Sequence, residues 1–172
     1  MNAVTSDESV LRMESSWGVL VVKSRNALIT ACELPFLSSE PHEKFEWGRS
    51  DIKANNSRDE AVLRKAERFV RGLFGGKESP SPELDWPKAS VFTVSVWKGL
   101  AAIPKGQTAE YGELARTVGC PGGARAVGRA CGANPLPLFI PCHRAVARHG
   151  TLGGFSCGLP WKRLLLEVEK TV

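Results

Sequence analysis

The stretch YGELARTVGCPGGARAVGRACG, Tyr111 to Gly132, decides how the second half of this chain is read. A short helix covers about Tyr111 to Val118 and is closed by Gly119. A turn follows, and a second helix runs from roughly Gly123 to Cys131. Two short helices joined by a glycine- and proline-bearing turn make a helix-turn-helix. The plain alternative is a helical hairpin inside a core. The content of the second helix bears on the choice. Ala124, Ala126, Gly128 and Ala130 are small, while Arg125 and Arg129 stand four apart on one face. Small side chains let a backbone approach another surface, and arginine reaches phosphates or base edges. A core helix would want larger apolar residues. The pattern suits nucleic acid.

Upstream of this stretch, Phe92, Val96, Leu100 and Ile103 mark one face of a helix starting near Val91 and ended by Pro104-Lys105-Gly106. Downstream, WKRLLLEVE is a long helix with an apolar face. Further back, GKESPSPELDWPK at 76–88 carries three prolines and no apolar period, so it reads as a linker. The boundary placed there divides the chain into 1–86 and 87–172. In the first half, WGVLVVK (17–23) and ALITAC (27–32) form a β-hairpin, and 35–57 is a long loop or a poorly paired strand. Ser57 stands three residues before Glu60, the signature of a capping box. Behind it Val62, Ala66, Phe69, Val70 and Leu73 share a helix face that stops at Gly75-Gly76. The first half is α/β, with few strands and one good helix.

With 172 residues, 42% hydrophobic and 24% charged, the chain is a globular protein of one ordinary domain or two small ones. No apolar run approaches a membrane span, and the polar opening MNAVTSDESV is no secretory signal. A cytoplasmic location and no membrane partner are expected. Five cysteines, an odd number with no CxxC pair, argue against a disulfide scaffold and fit free thiols. Their spacings match no zinc motif, so no metal is expected. Residues 1–86 carry 12 basic and 14 acidic side chains, whereas residues 87–172 carry 11 and 4. Positive charge gathered in the second half points to a polyanion.

The segment IPCHR, Ile140 to Arg144, sets Cys142 beside a histidine and an arginine. An exposed cysteine with basic neighbours has a lowered pKa and more thiolate. Side chains of adjacent residues diverge in an extended segment, so His143 reaches Cys142 only through a bridging water. An acid must then orient the other imidazole nitrogen, and Glu167 and Glu169 are the candidates. Arg144 either neutralises charge or anchors the loop.

FTVSVWKGLAAIPKGQTAEYGELA, ARAVGRACGANP, IPCHRAV, GGF and GLPWKRLLLEVE follow one another from about Phe92 to Glu169. In this order and spacing they resemble the O6-alkylguanine-DNA alkyltransferase family (methylated-DNA–protein-cysteine methyltransferases). The first half resembles the family only in its size and its sheet-plus-helix reading. The resemblance implies an α/β N-terminal domain, a small ribonuclease H-like sheet plus helix. A mainly α C-terminal domain with a winged-helix-like helix-turn-helix follows it. It also implies single-turnover, direct-reversal DNA repair: an alkyl group, chiefly methyl, passes irreversibly from O6 of guanine to the protein's own cysteine. No cofactor is needed, and the partner is double-stranded DNA containing O6-alkylguanine, bound by a monomer.

Residue by residue, Cys142 resembles the alkyl acceptor, His143 the histidine that reaches it through water, and Glu169 the carboxylate behind that histidine. Asn134 matches the asparagine bracing the acceptor loop, and Tyr111 the tyrosine that contacts the nucleotide and protonates the leaving guanine. Arg125 resembles the finger that fills the gap left by a flipped base. Ala124, Ala126, Gly128 and Arg129 share its DNA-binding helix. Ser156, Phe155, Cys157 and Ala145 are the expected substrate-pocket residues, with Cys157 at the mouth and Ala145 offering backbone groups. Glu110 stands where a serine or threonine usually caps the Tyr111 helix. A non-catalytic alkyltransferase-like lesion-binding protein would share the fold but lacks a cysteine at the acceptor position. A regulator that senses alkylation and a hydrolytic thiol enzyme fit less well.

Overall fold

The computed structural model describes residues 7–170, and the opening MNAVTS lies outside them. The chain divides into two compact units. One runs to Pro35 and resumes over His42–Trp86; the other joins Phe36–Pro41 to everything from Pro87 onward.

The first unit is a four-stranded antiparallel sheet covered by one helix. The strands are β1 (Ser9–Ser15), β2 (Gly18–Arg25), β3 (Leu28–Glu33) and β4 (Trp47–Lys53), in the order β3-β2-β1-β4. Leu11, Met13, Leu20, Val22 and Ile29 point to one face, where the helix α1 (Ser57–Phe74) buries Val62, Leu63, Ala66, Val70 and Leu73. The hairpin expected from WGVLVVK and ALITAC is β2–β3. The strand left open within 35–57 is β4, an edge strand with Gly48, Arg49, Asp51 and Lys53 exposed. Charged side chains on an edge discourage pairing with a further chain.

The start of α1 corrects the capping-box expectation. The N-cap is Asn56, not Ser57: its Oδ1 accepts from the N–H groups of Arg58 (3.1 Å) and Asp59 (2.9 Å). Asn56 is extended there, so its short amide reaches the first free donors, and Ser57 is already helical. Glu60 turns outward to Arg64. Buried Asp59 ties the corner together. It accepts from Ser9 Oγ (3.2 Å), the Ala27 N–H (2.7 Å) and Asn56 Nδ2 (2.8 Å). The second of these bonds holds the β2–β3 turn, where Ala27 has a φ of 61° that alanine rarely adopts.

The second unit is mainly helical: α2 (Val91–Ala101), α3 (Tyr111–Thr117), α4 (Ala124–Gly132) and α5 (Leu159–Lys170). Two-residue strands β5 (Ala109–Glu110) and β6 (Ala145–Val146) pair in parallel. The face read for α2 is buried at Val96 and Leu100 but shared with Trp97, whose indole N–H donates to Ala130 O at 2.8 Å. That bond fixes α4 against α2. Helices α3 and α4 form the helix-turn-helix. Gly119 leaves α3 with a φ of 76°, a conformation that would strain any side-chain-bearing residue. The whole run Leu136–Ile140 is buried, so the loop that carries Cys142 is threaded through the core of this unit.

Candidate active site

Cys142 opens a 3-10 turn, Cys142–Arg144, directly after Pro141. Asn134 holds it from below. The Asn134 amide donates to Ile140 O (2.8 Å) and to Cys142 Sγ (3.3 Å), and its Oδ1 accepts from the Leu136 N–H (2.9 Å). One side chain thus fixes both ends of the loop and aims at the sulfur. The expected exposed, acidified cysteine is not what the structure contains. Cys142 is 3% exposed. Burial pushes its thiol up to about 11, while the Asn134 hydrogen bond pulls the other way. Its basic neighbour does not help, because Arg144 is turned away toward Glu169.

His143 is fully buried, and its Nε2 lies 2.9 Å from Glu169 Oε1. Of the two candidate acids, α5 brings in Glu169 and leaves Glu167 exposed. Glu169 is also gripped by Arg144, whose Nε donates to Oε2 (2.9 Å) and whose Nη2 donates to Oε1 (2.8 Å). The remaining Arg144 donor reaches Ile103 O at 2.6 Å, which makes Arg144 a loop anchor. Burial alone would raise the Glu169 carboxyl, but the hydrogen bonds from His143 and Arg144 hold it down at about 2. Burial pushes the imidazole below its usual range despite Glu169. A neutral histidine beside an ionised glutamate carries its proton on Nε2, which leaves Nδ1 as the lone-pair nitrogen. That Nδ1 is buried and has no hydrogen-bond partner among protein atoms.

Above Cys142 lies a cavity of about 830 Å³. Its walls include Phe155 and Ser156 from the expected pocket, Tyr111 from α3, and Ala124, Arg125, Gly128 and Arg129 from α4. Both arginines are exposed at its rim. Tyr111 is the first residue of α3; its hydroxyl lies 3.4 Å from Gly154 O, and burial pushes it up to about 12. Gly153, with a φ of 65°, is set so close that a Cβ would stand 2.8 Å from Tyr111 Cε2. Glu110 caps the helix from an extended conformation. Its N–H donates to Glu113 Oε2, and its own carboxylate accepts from the His149 N–H, each at 2.8 Å.

Two expected pocket residues, Ala145 and Cys157, do not line the cavity, and neither does Ala126 of the helix expected to bind DNA. Ala126 lies off the wall, because helical spacing turns Ala124, Arg125 and Gly128 inward instead. Ala145 is buried in β6, paired with Ala109, and its carbonyl accepts from Lys162 Nζ at 2.7 Å. Cys157 follows Ser156 but is not among the lining residues, and its carbonyl accepts from the Leu37 N–H at 3.0 Å. Asn134, His143 and Glu169 stand behind Cys142 rather than in the cavity.

Two residues were not anticipated. Lys162 is fully buried, and its ammonium also reaches Gly154 O (3.2 Å) and lies 5.7 Å from the Tyr111 ring centroid. Burial lowers it to about 8. Its signal was its position on the buried stripe of α5, between Trp161 and Leu165. Cys131, in the last turn of α4, shares the cavity with Cys142. Among the described residues no three metal-ligating side chains gather, and no helix is long and apolar enough to cross a membrane.

A helix-turn-helix whose arginines rim a cavity, with a braced cysteine backed by a His–Glu pair at its floor, defines a nucleic-acid-binding protein with a thiol-centred site. The family described as 6-O-methylguanine DNA methyltransferase, DNA binding domain, matches residues 91–171. A methylated-DNA–protein-cysteine methyltransferase of Mycolicibacterium paratuberculosis is 47% identical over 158 residues, covering 92% of this chain and 90% of that protein. An inducible one of Bacillus subtilis is 33% identical over 161 residues, covering 90% and 89%. The crystal structure of Mycobacterium tuberculosis OGT in complex with DNA matches with a TM-score of 0.74 at 32% identity, covering 93% of this chain and 91% of that one. The chain belongs to the O6-methylguanine-DNA methyltransferase family.

Proposed function

We propose that this protein repairs O6-alkylated guanine in double-stranded DNA by moving the alkyl group irreversibly to Cys142. The observation that carries the reading is the line Asn134–Cys142–His143–Glu169 ending at the floor of an arginine-rimmed cavity. O6 of guanine is buried in the base stack, so the nucleotide must turn out of the helix, at a cost of roughly a few kcal/mol. Arg125 fills the gap, and the small residues Ala124 and Gly128 let α4 lie close against the groove. Arg129 adds a phosphate contact.

The chemistry starts from a protonated thiol. With its pKa near 11, only about 1 in 10⁴ Cys142 side chains is ionised at pH 7. The proton therefore leaves as the substrate is engaged, passing through a bridging water to His143 Nδ1, while Glu169 balances the imidazolium that forms. The sulfur then attacks the alkyl carbon from the side opposite O6. The S–C bond forms, the C–O6 bond breaks, and its electron pair leaves with guanine. Tyr111 donates a proton to the departing base and is reprotonated through solvent by the imidazolium, so the proton lost by Cys142 ends on guanine. The thioether has no route back, so one molecule repairs one base. A duplex bearing one O6-methylguanine tests this: the intact mass should rise by one methyl, mapped to Cys142. Repair continuing beyond one base per molecule, or methyl found on another cysteine, overturns the reading.

A further inference from the structure

The cavity that holds Cys142 holds a second thiol, which methyl transfer does not use. Cys131 lines the same cavity from α4, and neither cysteine is in a disulfide. One residue links the two. The Asn134 N–H donates to Cys131 O at 3.2 Å, and the Asn134 amide donates to Cys142 Sγ at 3.3 Å. Cys131 is held by burial as a thiol, with Lys162 drawing it the other way. A second thiol therefore lines the space where a transferred group would lie, near enough to feel the charge of Cys142.

Taking Cys142 as the alkyl acceptor, we propose that Cys131 is a second acceptor, which closes two-carbon adducts bearing a leaving group into a bridge between the two cysteines. The substrate class is O6-(2-haloethyl)guanine. In the first step the Cys142 sulfur takes the haloethyl group and guanine leaves, giving a 2-haloethyl thioether. That sulfur displaces the halide from the far carbon, forming a three-membered sulfonium ring and releasing halide. The Cys131 sulfur attacks one ring carbon, the ring C–S bond breaks back to Cys142, and the Cys131 proton passes to water. The product is Cys142–S–CH2–CH2–S–Cys131, with the halide and one proton released, and no oxidant is required. A two-carbon link also spans more than the ~2.05 Å of a disulfide. With no second thiol present, the sulfonium would be opened by water or by a DNA base, and the latter would fasten the protein to DNA. A methyl group has no leaving group and stops at the thioether.

Both thiols fall in one tryptic peptide, residues 130–144, which makes the test direct. Wild type and Cys131→Ala are treated with 1,2-dibromoethane in the absence of DNA, folded and in urea, and digested. In the folded wild type the peptide should carry one C2H4 in place of two thiol hydrogens and yield no backbone fragments between 131 and 142. Cys131→Ala should carry a 2-hydroxyethyl group on Cys142 instead. The proposal is overturned by hydroxyethyl on Cys142 in both proteins, by a bridge to Cys157, by an unmodified Cys142, or by equal bridging in urea. Wild type given the O6-methylguanine duplex runs alongside. Bridging without methyl transfer removes the repair reading and leaves the paired thiols, and methyl transfer without bridging does the reverse.

Discussion

Glu169 serves two partners with one carboxylate, a neutral imidazole and a guanidinium: its Oε1 lies 2.9 Å from His143 Nε2 and 2.8 Å from Arg144 Nη2. Glu169 is in α5, whereas His143 and Arg144 belong to the turn that carries Cys142. The same oxygen therefore sets the imidazole tautomer and closes the Cys142 loop onto the last helix.

The first prediction is an acid-side stability loss that depends on Glu169. Its carboxyl falls from an ordinary 4.5 to about 2 on folding. A depressed carboxylate stabilises the fold fully above the unfolded pKa, and that contribution fades as pH drops from about 4.5 toward 2. His143 acts in the same direction at higher pH. Its folded pKa lies below 6.5, so protonation of the unfolded chain costs stability as pH falls through that value. Urea midpoints measured between pH 7 and pH 3 should fall more steeply for wild type than for Glu169→Gln. Parallel curves would mean that the ion pairs contribute no net stability.

The second concerns Asn134. Its amide lowers the Cys142 thiol against the larger effect of burial. In the protein without DNA, the rate of Cys142 carbamidomethylation by short iodoacetamide pulses should rise with a midpoint near pH 11. Asn134→Ala should move that midpoint upward and slow methyl transfer. Loss of the bond to Leu136 N–H should also cost about 1–3 kcal/mol of stability, since it leaves a buried donor unmet. An unchanged midpoint would remove Asn134 from the chemistry and leave it a loop brace.

Much of this was legible in the residues. The helix-turn-helix followed from glycine punctuation and small-residue content, and the motif IPCHR pointed to the loop at the floor of the cavity. The burial of Cys142 was not read, although the apolar run before it shows that the loop must pass through the core. β1 stayed hidden because Arg12 and Glu14, its solvent-facing residues, mask a two-residue alternation of Leu11 and Met13. Between Glu167 and Glu169 only the family motif favoured Glu169, because the residues alone do not show which way α5 is rotated against its neighbours. Asp59 joins three segments distant in sequence, a relationship that no local pattern encodes.

A third prediction follows from Lys162. Lys162→Met keeps the length of the side chain and removes the donor to Ala145 O and Gly154 O. Two carbonyls lose a charged partner, an effect of about 1–3 kcal/mol each. Relief from burying a cation offsets part of that loss. The net destabilisation should be modest, but the segment carrying Phe155 and Ser156 loses its anchor beside Tyr111. Transfer from duplex DNA should slow by roughly an order of magnitude, about 1.4 kcal/mol, while DNA affinity by fluorescence anisotropy holds. Affinity falling in step with rate would assign Lys162 to the fold of the whole unit.

The last prediction separates a finger from a phosphate contact. Arg125 is exposed on α4 at the rim of the cavity, four residues from Arg129. Were it only one more cation against the backbone, Arg125→Ala would weaken binding about equally for all sequences and reduce the salt slope by roughly one unit. A side chain that holds the duplex open after the nucleotide has turned out does more. Its loss should slow transfer from duplex DNA much further than it weakens affinity, because the extrahelical state becomes rarer. Free O6-benzylguanine needs no turning out, so its reaction with Cys142 should proceed nearly as in wild type. Both rates are measured at one salt concentration, by mass of the modified protein. Arg129→Ala serves as the comparison, since it should change affinity and salt slope without a selective loss on duplex DNA. If the two substrates slow by equal proportions in Arg125→Ala, Arg125 shapes the cavity or supports α4, and the finger assignment is withdrawn.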